Sequence, residues 1–105
     1  MSALVWCPFP DRAAAERVAG QLLDEKLIAC ANIIEGVTSV FAWNGARETA
    51  SECGALFKTD AHVLARAVVR LEELHPYDQP AVMGWRCDAT GSGTAAWLAK
   101  EPAPN

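Results

Sequence analysis

The dipeptide Asn44-Gly45 constrains this chain more than any other feature. Asn-Gly favours the pair of positive φ angles of a type I′ turn, whose twist matches the two antiparallel strands it joins. The stretch before it, Val37-Thr38-Ser39-Val40-Phe41-Ala42-Trp43, is rich in β-branched and aromatic residues and carries Val37, Phe41 and Trp43 on one face. A further strand must then fold back on it, and Arg47 to about Thr59 supplies it. A chain of 105 residues that spends roughly 30 of them on one hairpin has few ways left to build a core.

The remaining elements follow from period and punctuation. Ala3 to Cys7 is a short apolar run closed by Pro8-Phe9-Pro10, a buried first strand. Asp11 can cap a helix whose apolar stripe is Ala15, Val18, Ala19 and Leu22, running to about Lys26. Ala29 to Ile34 is extended and continues through Glu35-Gly36 into the hairpin. Asp60 can cap a second helix with stripe Leu64, Ala67, Val68, Leu71 and Leu74, and Pro76 and Pro80 forbid helix beyond it. Ala81 to Cys87 reads as a fourth strand. Gly91-Ser92-Gly93 turns into a short helix holding Trp97 and Leu98, before a tail marked by Pro102 and Pro104. The order β-α-β-β-α-β plus a terminal helix predicts an α+β fold: a ferredoxin-like βαββαβ sandwich as one domain over residues 1–105.

Two helices cover one sheet face and cannot reach the whole hairpin, which keeps Phe41, Trp43, Leu56 and Phe57. Such apolar overhang on a lone subunit invites aggregation, so the sequence predicts self-association.

Composition narrows the function. A hydrophobic share of 51% suffices for one core and leaves no room for a second domain. No apolar run approaches the ~20 residues of a membrane span. The first residues lack the basic start and uninterrupted apolar core of a signal peptide, so the expected address is the cytoplasm. The net charge is −4 and the arginines are scattered, which argues against a nucleic-acid partner. An RNA-binding βαββαβ module would also need exposed aromatics on its central strands, and strand one offers only Trp6. Cys7, Cys30, Cys53 and Cys87 form no CxxC pair and are expected as free thiols. No oxyanion hole can be read beside a cysteine–histidine pair, and Gly91-Ser92-Gly93 lacks a P-loop lysine. An enzyme is not expected.

The segments Lys26-Leu27-Ile28-Ala29-Cys30-Ala31-Asn32-Ile33-Ile34, Gly36-Val37-Thr38-Ser39, Trp43-Asn44-Gly45, Lys58-Thr59 and His75-Pro76-Tyr77 come in an order and spacing that resembles the CutA family of divalent-cation tolerance proteins. The resemblance covers nearly the whole chain. It implies a PII-like homotrimer in which long strands pair across subunits, and a response to metal ions with copper or another divalent metal bound. Carried over residue by residue, it points to Cys7 and His75 as metal ligands. Some members have a second histidine where this chain has Leu74, and many have glutamate at Asp78. Pro8 and Pro10 around Phe9 also depart from the usual pattern.

Thiolate and imidazole together suit Cu(I) or zinc, although two ligands leave a site incomplete. The alternative is that Cys7 is a buried small hydrophobe and His75 orders the turn before Pro76. Cys30, Cys53 and Cys87 read as core packing, and His62 as a surface residue in the first turn of the second helix. Trp43, Lys58 and Tyr77 suit a cleft that holds an anion or small ligand, or else serve as interface anchors with a solvated lysine. No tightly bound cofactor is expected. Three functions stand: a metal-responsive trimer, a PII-like ligand sensor at the subunit cleft, or an oligomeric scaffold for another protein.

Overall fold

The hairpin turn is built as the sequence demands. In the computed structural model, which describes residues 1–104, Asn44 has φ 50° and Gly45 φ 80°, and Trp43 pairs directly with Ala46 across the turn. The strands on either side are β2, Cys30–Trp43, and β3, Ala46–Asp60. The other elements are β1 (Ser2–Phe9), α1 (Arg12–Asp24), α2 (Leu64–Leu74), β4 (Met83–Arg86) and α3 (Ser92–Lys100). The sheet order is β2-β3-β1-β4 with antiparallel pairing throughout. This is the α+β, ferredoxin-like arrangement with a C-terminal helix.

One irregularity shapes the hairpin. The ladder passes from Ile34↔Gly54 to Val37↔Glu52, so Glu35 and Gly36 stand opposite Cys53 alone. Gly36 takes φ 78°, which a glycine adopts without cost. An extra residue reverses the alternation of side chains. Cys30, Asn32 and Ile34 before the bulge therefore share a face with Val37, Phe41 and Trp43 after it.

The core lies on the opposite face. Val5, Cys7 and Phe9 of β1 and Cys53, Ala55 and Phe57 of β3 pack against Ala15, Val18, Ala19 and Leu22 of α1 and Ala67 and Leu71 of α2. The Thr59 hydroxyl is buried and donates to the Leu27 carbonyl at 2.8 Å.

The element ends differ from the sequence reading for identifiable reasons. Helix α1 stops at Asp24 because Lys26 turns left-handed (φ 58°). The Lys26 and Leu27 amides then donate back to the Leu23 and Leu22 carbonyls, each at 3.0 Å, the double bond of a Schellman cap. Strand β1 runs through Pro8 to Phe9. The β4 ladder on its far side ends at Trp6↔Met83, so Pro8 sits where one edge of β1 is free. Asp60 caps a single 3₁₀ turn, Ala61–Val63, ahead of α2 rather than α2 itself. Strand β4 is four residues long, shorter than Ala81 to Cys87, although the Cys87 amide still reaches the Ser2 carbonyl at 2.9 Å.

Helix α3, with Leu98 buried, lies against β3 and β1, but neither α1 nor α2 covers the second sheet face. Leu4, Trp6, Leu56, Ile34, Met83 and Trp85 line it, with Ile34 50% and Met83 63% exposed. The Trp6 indole lies across Gly54 so closely that a Cβ there would stand 2.2 Å from a ring carbon. Among the described residues no helix is long and apolar enough to cross a membrane.

Candidate functional site

The two proposed metal ligands meet at one atom. The Cys7 thiol donates to the Pro8 carbonyl oxygen at 3.5 Å, and His75 Nε2 lies 2.8 Å from the same oxygen. His75 is the C-cap of α2, and the following Pro76 holds it extended at φ −69°, ψ 140°. This conformation turns its ring back onto the end of β1, where it stacks on Phe9 with centroids 4.4 Å apart.

Both histidine nitrogens are engaged. The Tyr77 amide donates to Nδ1 at 3.1 Å, so Nε2 carries the proton it gives to Pro8. That assigns a neutral ring, and burial moves its pKa the same way, downward, against the Pro8 bond and the nearby Glu52 carboxylate. Cys7 has no exposed surface, and burial followed by the charge of Glu52 pushes its thiol up to about 12. In this arrangement the pair is a protonated thiol and a histidine with no free lone pair. Among the described residues, no three His, Cys, Asp or Glu side chains are grouped to hold a metal ion.

Above this pair lies an open groove of about 1240 Å³ between the hairpin arm and the loop after α2. Phe41, Trp43, Glu48 and Glu52 line the arm side, Tyr77 and Asp78 the loop side, with Pro8 between them. The Tyr77 hydroxyl donates to Glu52 at 2.9 Å and ties loop to arm. Burial, then this bond to a carboxylate, raises the Tyr77 phenol to about 12.

The structure brings Cys7 and His75 together at Pro8 and puts Tyr77 and Trp43 on one groove, although Trp43 pairs with Ala46, nine residues along β3 from Ala55, the partner of Cys7, roughly 30 Å at strand rise. It does not bring Lys58 to that groove. Lys58 lies six residues beyond Glu52 along β3, roughly 20 Å at strand rise. It projects from the face opposite α1 and α2, between Leu4 and Cys30. Glu52 is the residue that reading the sequence missed. Counting back from Trp43↔Ala46 pairs it with Val37, on the face that carries Trp43, and that count was available from the turn alone.

The other candidates are placed plainly. Cys53 is buried, Cys30 and Cys87 are partly exposed, and all four thiols are free. His62 is in the 3₁₀ turn, its ring between the Asp60 carboxylate and the Pro102 carbonyl.

A four-stranded antiparallel ferredoxin-like sheet with an overlong β2–β3 hairpin places the chain in a class of small α+β folds. The family model described as CutA1 divalent ion tolerance protein matches residues 3–101. The divalent-cation tolerance protein CutA of Pyrococcus horikoshii is 39% identical over 98 residues, covering 93% of this chain and 95% of that one. The crystal structure of CutA1 from Ehrlichia chaffeensis superposes with a TM-score of 0.91 at 30% identity, covering 97% of this chain and 95% of that one. That of CutA from Xylella fastidiosa gives 0.92 at 30% identity, covering 97% and 98%. The chain belongs to the CutA divalent-cation tolerance family.

Proposed function

We propose that this chain acts in the cytoplasm as a homotrimer that responds to metal ions, with a soft ion such as copper taken up at Cys7 and His75. The observation that carries the site is the convergence of thiol and imidazole on the Pro8 carbonyl oxygen. Uptake would release the Cys7 proton and free one histidine nitrogen from its backbone partner, so it would loosen the turn that holds Tyr77 against Glu52. Metal load and groove shape would then be coupled. Further ligands would come from Glu52 or from a neighbouring copy.

The trimer is supported by the exposed apolar side chains on the sheet face that α1 and α2 leave open and by the arm that extends beyond the core. Four free thiols suit a reducing compartment. Light scattering should return three times the 11.3 kDa subunit. A monomer at micromolar concentration would remove this part.

The metal site is tested by competition titration with Cu(I) under reducing conditions. Cys7→Ser should reduce affinity markedly, because a hydroxyl is a poor ligand for a soft ion, and Cys53→Ser should leave it unchanged. Below the raised thiol pKa of about 12, each ion bound displaces one proton, so apparent affinity should rise about tenfold per pH unit. Equal affinity for the parent and Cys7→Ser would exclude this residue as a ligand.

A second reading is favoured by the groove: a PII-like sensor of a small ligand, held by Trp43 and Tyr77. Lys58 then belongs to the sheet face opposite the core rather than to the ligand.

A further inference from the structure

We infer that His62 is a protonated pin: its imidazolium fastens the segment that follows α3 to the end of β3, and loss of one proton as pH rises releases that segment. Neither the metal ligands nor the groove takes part, and both contacts of the ring lie within one subunit.

The two histidines of the chain stand in opposite surroundings. The His75 ring meets one donor and one acceptor, the Tyr77 amide at Nδ1 and the Pro8 carbonyl at Nε2, which a neutral imidazole satisfies. The His62 ring meets two acceptors. Its Nδ1 lies 2.5 Å from Asp60 Oδ2, and its Nε2 lies 3.0 Å from the Pro102 carbonyl oxygen. A neutral ring carries a single N–H, so beside an ionised carboxylate one of its nitrogens would turn a lone pair toward an oxygen. Moving the shared proton from Nδ1 to the carboxyl leaves the count unchanged: ring and carboxyl together must hold two protons to make both bonds.

Burial of the partner supplies a second reason. Asp60 is 6% exposed, and a carboxylate taken out of water needs a cation or several donors. The His62 amide donates to Oδ2 at 3.1 Å, while the Met1 ammonium touches Oδ1 at a longer 3.4 Å. The imidazolium is thus the close charge. Asp60 is the one carboxylate paired with the ring among the described residues. Arg66 on α2, and Lys100 and Glu101 at the end of α3, are the other charges that the neighbouring elements carry.

What the pin holds follows from the backbone. Helix α3 lies against β3 and β1 with Leu98 buried, and the Glu101 amide donates to the Trp97 carbonyl at 3.0 Å to close its last turn. Pro102 is fully buried and has no amide hydrogen, so its carbonyl is the group by which the chain leaving α3 is tied, and His62 donates to it. The carboxylate retains the proton on Nδ1, so Nε2 is the nitrogen that gives its proton up. Its lone pair then faces the carbonyl oxygen, and the bond is lost. The closed segment therefore binds one more proton than the released one. Closure is complete at low pH and lost as pH rises through the titration of the ring.

The test uses the assembled full-length protein, freed of metal with a chelator. Nitrogen NMR of labelled histidine, assigned with His62→Ala, should show both His62 nitrogens protonated at low pH. Above the step the proton should remain on Nδ1, the reverse of the tautomer that a histidine in water prefers. Amide exchange from Leu98 to Glu101, referenced to core amides of β1 and β3 to cancel base catalysis, should quicken about tenfold across the same step, the lower end of what a bond from a charged donor contributes. In His62→Ala the step should be absent and exchange already fast at low pH. A neutral His62 protonated at Nε2, an exchange profile that follows the core at every pH, or a step that survives in His62→Ala would overturn the inference. Where His62→Ala fails to fold, the exchange step and the tautomer of the parent decide alone.

Discussion

Strand β3 spans two environments, and the contrast between its halves explains most of what the molecule can do. From Cys53 to Asp60 the strand lies under two helices, and its core-facing side chains are buried. From Ala46 to Ser51 it is almost wholly exposed, paired only with the outer part of β2. The bulge at Glu35-Gly36 marks the boundary. Stability is therefore concentrated at one end of the hairpin, while the groove and the apolar arm that meet other molecules are concentrated at the other.

The sharpest way to break this comparison is to truncate one aromatic ring in each half. Phe57 is fully buried and meets Phe9 edge-on at 6.3 Å, so Phe57→Ala should cost about 3–5 kcal/mol. Phe41→Ala should leave a subunit that folds equally well, because its ring already faces solvent, and should act on assembly or on groove binding instead. Denaturant melts at several protein concentrations separate the two effects. If Phe41→Ala destabilised as much as Phe57→Ala, independent of concentration, the division between halves would be wrong.

Next in size is Gly54→Ala, at the boundary itself. The added methyl would meet the Trp6 ring at 2.2 Å, so the indole must move, at a cost of about 1–3 kcal/mol. Trp6 lies on the sheet face opposite α1 and α2, so its displacement should also alter that surface and weaken self-association. Tryptophan fluorescence read alongside oligomeric mass would show both changes. A variant unchanged in both would mean that the indole does not lie over Gly54.

At the arm's tip, Gly45→Val forces a β-branched residue to φ 80°, which costs roughly 1–2 kcal/mol or more. Little of this should appear as lost core structure, because nothing buried depends on the turn. It should appear as weaker assembly and a disordered groove. Hydrogen exchange would show loss of protection confined to Val37 to Ser51; uniform loss would show that arm and core unfold together.

The sequence disclosed these regions unequally. Asn44-Gly45 announced the hairpin and its register, because its two positive φ angles are a local property of two residues. The bulge was hidden: Glu35-Gly36 reads as a pause between strands, and only the ladder's step from Ile34↔Gly54 to Val37↔Glu52 shows it as a reversal of faces. Pro8 read as a strand end because the freedom of that edge depends on where β4 stops, a non-local fact. Cys7 and His75 were named through family resemblance. Nothing in their spacing foretold that both would converge on the Pro8 carbonyl, since the contact depends on Pro76 extending the end of α2. Lys58 was correctly placed on a strand but at the wrong end for the groove, because the sequence pattern fixes a side chain's face more readily than its distance from a cleft.

The smallest effect concerns the buried end of β3 and its dependence on pH. Asp60 is buried at the strand's close, and burial alone would raise its pKa. Hydrogen bonds from the His62 ring and amide, together with the N-terminal ammonium, outweigh burial and hold it below the usual carboxylate value. A carboxyl depressed on folding contributes stability that is fully present above its unfolded pKa of about 3.9 and is lost as pH falls through the lower folded value. Stability should thus fall on acidification below about pH 4, and Asp60→Asn should flatten that part of the profile. The amide keeps an acceptor oxygen for the His62 backbone, so the 3₁₀ turn should survive the substitution. Phe41→Ala, in the other half of the hairpin, should leave the acid limb unchanged. Denaturant unfolding between pH 2.5 and 7 measures this, and identical acid limbs for the parent and Asp60→Asn would show that Asp60 contributes nothing to the acid sensitivity of the core half.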